Sequence, residues 1–291
     1  LRDDAPLIQS SIVTGSAVVT VEPYDDSFTS QPDLAGATLA ASLRGFTLGK
    51  ESNTSSITHT KAITVAGPIS LYGGTVNLQA AQESTSNSAA VLIKSKGDIT
   101  TNTSGDVTTN GGDIVFWANS DGNTASGSGG RIDFVDGSLL TSNGGDVVMA
   151  GGTAVDANGH PTGYAKGEDA GLYSSLRFGG DISSGGGDIV LRGEIPSGQG
   201  TLDHRGAIYL MQNSVIDSGT GNISISGRVP NDVTNTGNQW GVWFGTNTRT
   251  SEPEVRSSTG KIEISADASA YVGALTNRAG IVLFSGQVQS I

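Results

Sequence analysis

The sequence predicts an all-β protein, a parallel β-helix (solenoid) of about 7–8 coils with loop insertions along one side. Three observations carry the prediction. Of 291 residues, 43 are Gly but only 8 are Pro, without a Gly-X-Y period, which excludes collagen. Hydrophobic residues make up 35% and charged residues 15%, so there is enough apolar material to bury and disorder is disfavoured. Finally, one ten-residue pattern recurs five times without a gap, and each copy ends in strict apolar alternation, the period of a strand.

Taken in chain order, residues 1–50 fit the pattern least and are expected to form an irregular cap or a junction with a preceding repeat. The Ala-rich stretch from Leu34 to Leu43 reads either as a short helix or as irregular chain covering the first coil, because an open solenoid end exposes unpaired edge groups. From residue 51 the β-helix repeats run to 291. Ile63/Val65, Ile69/Leu71, Val76/Leu78, Val91/Ile93 and Ile99 supply the early strands.

The five copies are 107–116, 140–149, 182–191, 216–225 and 255–264, each apolar-x-Ser/Thr-x-x-Gly-x-apolar-x-apolar. Ile114/Phe116, Val147/Met149, Ile189/Leu191, Ile223/Ile225 and Ile262/Ile264 are expected to face inward, with Val115, Val148, Val190 and Trp117 outward. The glycines of the pattern, Gly112, Gly145, Gly187, Gly221 and Gly260, supply either positive φ or an uncrowded corner. Thr109, Ser142, Ser184, Ser218 and Ser257 share inward parity and read as an internal hydroxyl ladder bonding turn backbone. A second strand precedes most units: Ile132/Phe134, Ile208/Leu210, Val242/Phe244 and Ile281/Leu283. Val288 lies 33 residues after Val255, in phase, so the repeat is expected to continue beyond residue 291.

Chemistry-bearing patterns are few. There is no Cys, and Gly45 to Lys50 lacks the spacer and the Ser/Thr of a phosphate loop. His59, His160 and His204 stand in separate repeats, and no nucleophile elbow occurs, so catalytic residues are none and an enzyme is not expected. Against the paired carboxylates a glycosidase needs, Asp133 and Asp136 lie near each other, and Asp203-His204-Arg205 puts a base and a cation together in one loop. The acidic residues after Gly, namely Asp98, Asp106, Asp113, Asp146, Asp181 and Asp188, read instead as turn residues whose carboxylates bond nearby N–H groups. No cofactor is expected. The separated histidines do not suit zinc; calcium is the ion that the acidic, Gly-rich turns suit, at Asp121, Glu168 and Asp169, although the repeat and loop motifs that bind it are absent. A formal charge of -12 argues against nucleic acid, and no apolar run is long enough for membrane insertion in this segment.

Variable insertions at 119–129, 152–170, 194–205, 229–240 and 267–279 fall between the same two strands of successive repeats. Stacked in register, they would form a binding edge on which Tyr164, Trp240, outward Trp117, Asp203 and His204 are the candidate contacts. Trp117 has the alternative of packing beneath a neighbouring loop.

The segments Gly45-Phe46-Thr47-Leu48-Gly49-Lys50, Ile63-Thr64-Val65-Ala66-Gly67-Pro68-Ile69-Ser70-Leu71 and Thr109-Asn110-Gly111-Gly112-Asp113-Ile114-Val115-Phe116-Trp117 resemble repeats of giant bacterial β-strand-repeat surface adhesins, similar in style to filamentous haemagglutinins. The resemblance covers about residues 40 to 291. It implies a secreted, extracellular or cell-surface location and a structural or adhesive role, with cell-surface glycans or proteins, or sister chains in a filament, as partners. It supplies no catalytic motif. The alternative expectation is a carbohydrate-binding or polysaccharide-cleaving β-helix.

Overall fold

The computed structural model describes residues 1–8, 11–123, 129–167, 174–195, 205–229, 239–245, 252–267, 278–283 and 287–290. Among them there is no helix, hence none long and apolar enough to cross a membrane. Three parallel sheets form the sides of a β-helix. The first stacks nine strands from Val18–Val21 to Ile262–Asp267, and the second and third stack eight each, from Ile57–His59 to Arg278–Leu283 and from Ile63–Val65 to Gln287–Ser290. Among the described residues the chain visits the sheets in turn, giving eight full coils.

The short apolar alternation makes strands rather than helices because each rung buries only every second residue. In the first sheet Ile69, Val91, Ile114, Val147, Ile189, Ile223 and Ile262 stand one above another. Ile99, Ile132, Leu176, Ile208, Val242 and Ile281 do so in the second, and Val107, Leu140, Ile182, Ile216, Val255 and Val288 in the third. All five expected inward pairs of the first sheet lie in register, and the first four are fully buried. Leu176/Phe178 fills the remaining place in the second sheet; Ser174-Ser175 precedes it, so the glycine that marks its counterparts is missing. Phe134 and Phe178 stack at 5.3 Å, within the range of a favourable aromatic pair. On the last described rung Ile281, Leu283 and Val288 are exposed, having a neighbour on one side only.

The register extends into residues 1–50. Val18–Val21 pairs with Gly45–Leu48, which pairs in turn with Ile69–Gly73. The stretch from Leu34 to Leu43 contains a strand, Ala37–Leu39, paired with Ser11–Val13, and not a helix. The β-branched Thr38 and the Pro32 upstream favour this outcome over helix.

The pattern glycines answer a packing requirement, not a φ requirement. None has positive φ, but a Cβ on Gly145 would lie 2.2 Å from the Gly112 carbonyl oxygen, and on Gly187 2.0 Å from that of Gly145. Positive φ falls on the residues just before, Gly111, Asn143, Gly144, Gly185, Gly186 and Gly219, which turn the corner. The hydroxyl ladder lies at the same corner, fully buried. The Ser142 Oγ donates to Gly145 O at 2.5 Å and lies 3.1 Å from Ser184 O on the next rung; Thr109, Ser184 and Ser218 each donate to the glycine carbonyl three residues on.

Candidate functional site: a hairpin cleft on the first sheet

The six acidic residues placed after glycine do bond backbone N–H groups, but those of the next rung. Asp113 Oδ1 accepts from Asp146 N at 2.8 Å, Asp146 Oδ1 from Asp188 N at 2.8 Å, and Asp188 Oδ1 from Asn222 N at 2.7 Å. Asn222 continues the column by accepting from Lys261 N at 2.9 Å. Asp98, Asp106 and Asp181 cap the N–H groups of Gly130, Leu139 and Val215 in the same way.

The second insertion begins as an extension of the first sheet. Strand Val147–Val155 runs past the sheet and returns as Pro161–Gly163, antiparallel to it. The reversal is locally encoded. Asp156 Oδ1 accepts from the N–H groups of Asn158 and His160, and Gly159 adopts φ of +83°. This hairpin folds back over the outward face of the first sheet, where Val115, Trp117, Val148 and Ala150 form a second apolar cluster outside the main core. Trp117 Nε1 donates to Gly152 O at 2.7 Å, and the Lys94 ammonium lies 4.0 Å from the Trp117 ring centroid.

Two further polar contacts fasten the hairpin. His160 Nε2 lies 2.9 Å from Asp113 Oδ2, and Arg192 Nη1 donates to Thr162 O. Between them opens a cleft of about 180 Å³, lined chiefly by Asp146, Asp156, Asp188, Arg192, Val148 and Val190. Its electrostatics are uneven. The hydrogen bond from His160, aided by its charge, holds Asp113 below the usual carboxylate range, and the same bond raises His160. Asp146 is raised, first by burial and then by the charges of Asp113 and Asp188, against the lowering effect of the Asp188 N–H bond.

The sequence-predicted contacts do not gather into one site among the described residues. Trp117 is buried beneath the hairpin, in the packed of its two expected arrangements. Tyr164 is half-buried with the Arg228 guanidinium 6.0 Å from its ring centroid. Trp240 is buried against Trp243 on the second sheet, and Trp243 stacks on Tyr209 at 4.2 Å. Asp203, His204, Glu168 and Asp169 lie outside the described residues. Asp121 is exposed and its Oδ1 caps Asn123 N. Among the described residues no three Asp, Glu, His or Cys side chains are grouped to hold a metal ion. Asp133 is held by both carboxylate oxygens to Arg177, at 2.7 and 2.9 Å.

His160, Asp156 and Arg192 are not among the sequence-predicted contacts. The signal that could have found them is Asn158-Gly159 flanked by short β-prone runs, the mark of a tight hairpin. Comparison with known proteins gives no match: no family model, no curated protein and no solved structure is similar to this chain.

Proposed function

We propose that this chain is a structural and adhesive segment of a long extracellular bacterial surface or filament protein, a rigid spacer whose insertion edge makes contacts for adhesion or self-assembly. The observation that carries the reading is the continuous stacking of eight coils among the described residues, in which backbone, hydroxyl and carboxylate bonds all link one rung to the next. At roughly 4.8 Å per rung such a stack is a rod of about 38 Å. The strands flanking all five insertions belong to the first and second sheets, so each insertion leaves from the same corner. Loops displayed by a rigid scaffold are the usual seat of recognition, and cell-surface glycans or proteins, or sister chains, are the partners this edge suits. The acidic charge disfavours nucleic acid.

The test is adsorption of the purified chain to glycan-coated and cell surfaces, together with the force at which single molecules unfold. Adsorption with high mechanical resistance is the expected result; a chain that adheres to nothing and extends at low force would end the reading.

Polysaccharide cleavage is the second reading, and a single observation favours it. Asp146 and Asp188 stand one rung apart, near the separation of about 5–5.5 Å used by retaining glycosidases. Release of reducing ends, lost in Asp146→Asn, would replace the structural reading with the enzymatic one.

A further inference from the structure

We infer that the hairpin cleft binds an amino sugar unit of a glycan, with the sugar ammonium held between the carboxylates of Asp146 and Asp188. This inference rests on the proposed recognition role of the insertion edge and names the ligand class for its described part.

The ladder itself does not require the charges. Asn222, at the next position of the same column, performs the same capping with an amide oxygen. Yet the rungs beside the hairpin carry Asp113, Asp146 and Asp188, like charges about 4.8 Å apart, an arrangement that costs stability. Asp113 is compensated by His160. Among the described residues, Asp146 and Asp188 have no cation within ion-pair distance; Asp188 accepts from the Asn222 side-chain amide at 3.1 and 3.3 Å, whereas no group bonds Asp146 Oδ2 although its carboxylate lines the cleft. Column position, charge without structural need, and a cavity in front of that charge coincide at one place.

The lining chooses among cations. Among the described residues fewer than three ligating side chains converge, which does not suit a metal ion. A lysine side chain would bring no acceptor for the Arg192 guanidinium in the cleft wall. A pyranose ring carrying an ammonium offers all the complements: the cation for the two carboxylates, hydroxyl oxygens for Arg192 and Asn158, and a C–H face for Val148 and Val190. A bound cation would also offset, by its own charge, the burial and the like charges of Asp113 and Asp188 that hold Asp146 above its ordinary range.

The test is calorimetric titration of the whole chain with glucosamine, glucose and galacturonate oligomers of equal length. The glucosamine oligomer is expected to bind, with affinity at least about tenfold weaker in Asp146→Asn and Asp188→Asn. Both variants are expected to fold, because Asn serves the ladder at position 222. Asp181→Asn, the same charge change at a ladder position outside the cleft, is expected to leave affinity unchanged, which separates the cleft from general attraction to an acidic protein. Equal loss in all three variants, no glucosamine binding, or binding that survives both cleft variants would overturn the inference. Tight binding of the neutral or acidic oligomer instead would overturn the amino sugar assignment while leaving the recognition role standing. A chain that binds neither sugars nor surfaces would remove the recognition role as well.

Discussion

At the corner between the third and first sheets, two neighbouring glycines do different work. Gly144 has φ of +116° and open space within 4 Å of where a Cβ would stand, whereas Gly145 has ordinary φ but sits against the Gly112 carbonyl. Gly144→Ala is therefore expected to cost about 1 kcal/mol from backbone strain alone. Gly145→Ala forces two rungs apart and is expected to cost about 3 kcal/mol. Urea unfolding of the two variants decides the matter, and equal costs would refute the close-approach assignment. His59 supplies a second residue-scale prediction. It is buried inside the coil near Phe46, and burial lowers its pKa from 6.5 to about 4. The folded state then binds fewer protons than the unfolded chain between those values. Its contribution is fully present above about pH 6.5 and is lost as pH falls towards 4, by up to about 3 kcal/mol. His59→Leu is expected to flatten the pH dependence of the melting temperature in that window, and an unchanged slope would place the acid sensitivity elsewhere.

At the scale of elements, the hairpin and the sheet it covers are joined by a pair with two opposing titrations. The His160 pKa is raised, so its contribution is full at mildly acidic pH and is lost as pH rises through the raised value. The Asp113 pKa is lowered, so its contribution is present above the usual carboxylate range and is lost as pH falls through the lowered value. The clasp therefore holds best between the two. Hydrogen exchange of the Trp117 indole N–H, which is bonded to Gly152 O, is expected to accelerate as pH rises beyond the His160 transition, over and above intrinsic base catalysis. His160→Ala should show the faster exchange throughout; protection equal to the parent would mean that the apolar cluster alone holds the hairpin.

The same elements show what could be read from the chain. Period-2 alternation marks the strands of the five-copy pattern, and column parity assigns their inward residues and the hydroxyl ladder correctly, because both depend on local geometry; it does not mark Gly45–Leu48 or Ser174–Phe178, although each is followed by glycine. The coil count of 7–8 is met by eight. What local geometry does not contain is the partner across rungs. Asp146 reads as a turn residue, yet its acceptor oxygen serves Asp188, 42 residues on. His160 looks solitary because Asp113 is 47 residues away. Parity places Trp117 outward, as observed, but only the hairpin's return path decides that it is covered.

For the molecule as a whole, the decisive property is that each rung contacts mainly its two neighbours, so the stack behaves as a one-dimensional array. Such an array should tolerate the removal of a complete rung, provided register and column chemistry are kept. Deleting residues 189–222 joins Asp188 to Ile223 and removes one strand from each sheet, Ile189–Glu194, Arg205–Leu210 and Val215–Asp217. Val147 would then face Ile223 in place of Ile189, apolar for apolar. The exchange has predictable charge faults: Asp181 would face Glu254 in place of Val215, Arg256 would lose Asp217, and a third fault falls beside the hairpin. Glu194, which pairs with Lys166 at 2.8 Å, is replaced by its register partner Arg228, setting two cations side by side. The shortened chain is expected to fold, to lose about 5 Å of length by small-angle scattering, and to melt at a lower temperature than the parent. Adding Arg228→Glu restores the acidic partner and is expected to recover part of that loss. A deletion variant that unfolds with or without the added change would show that the rungs depend on contacts beyond their neighbours, and that the rod is not the sum of its coils.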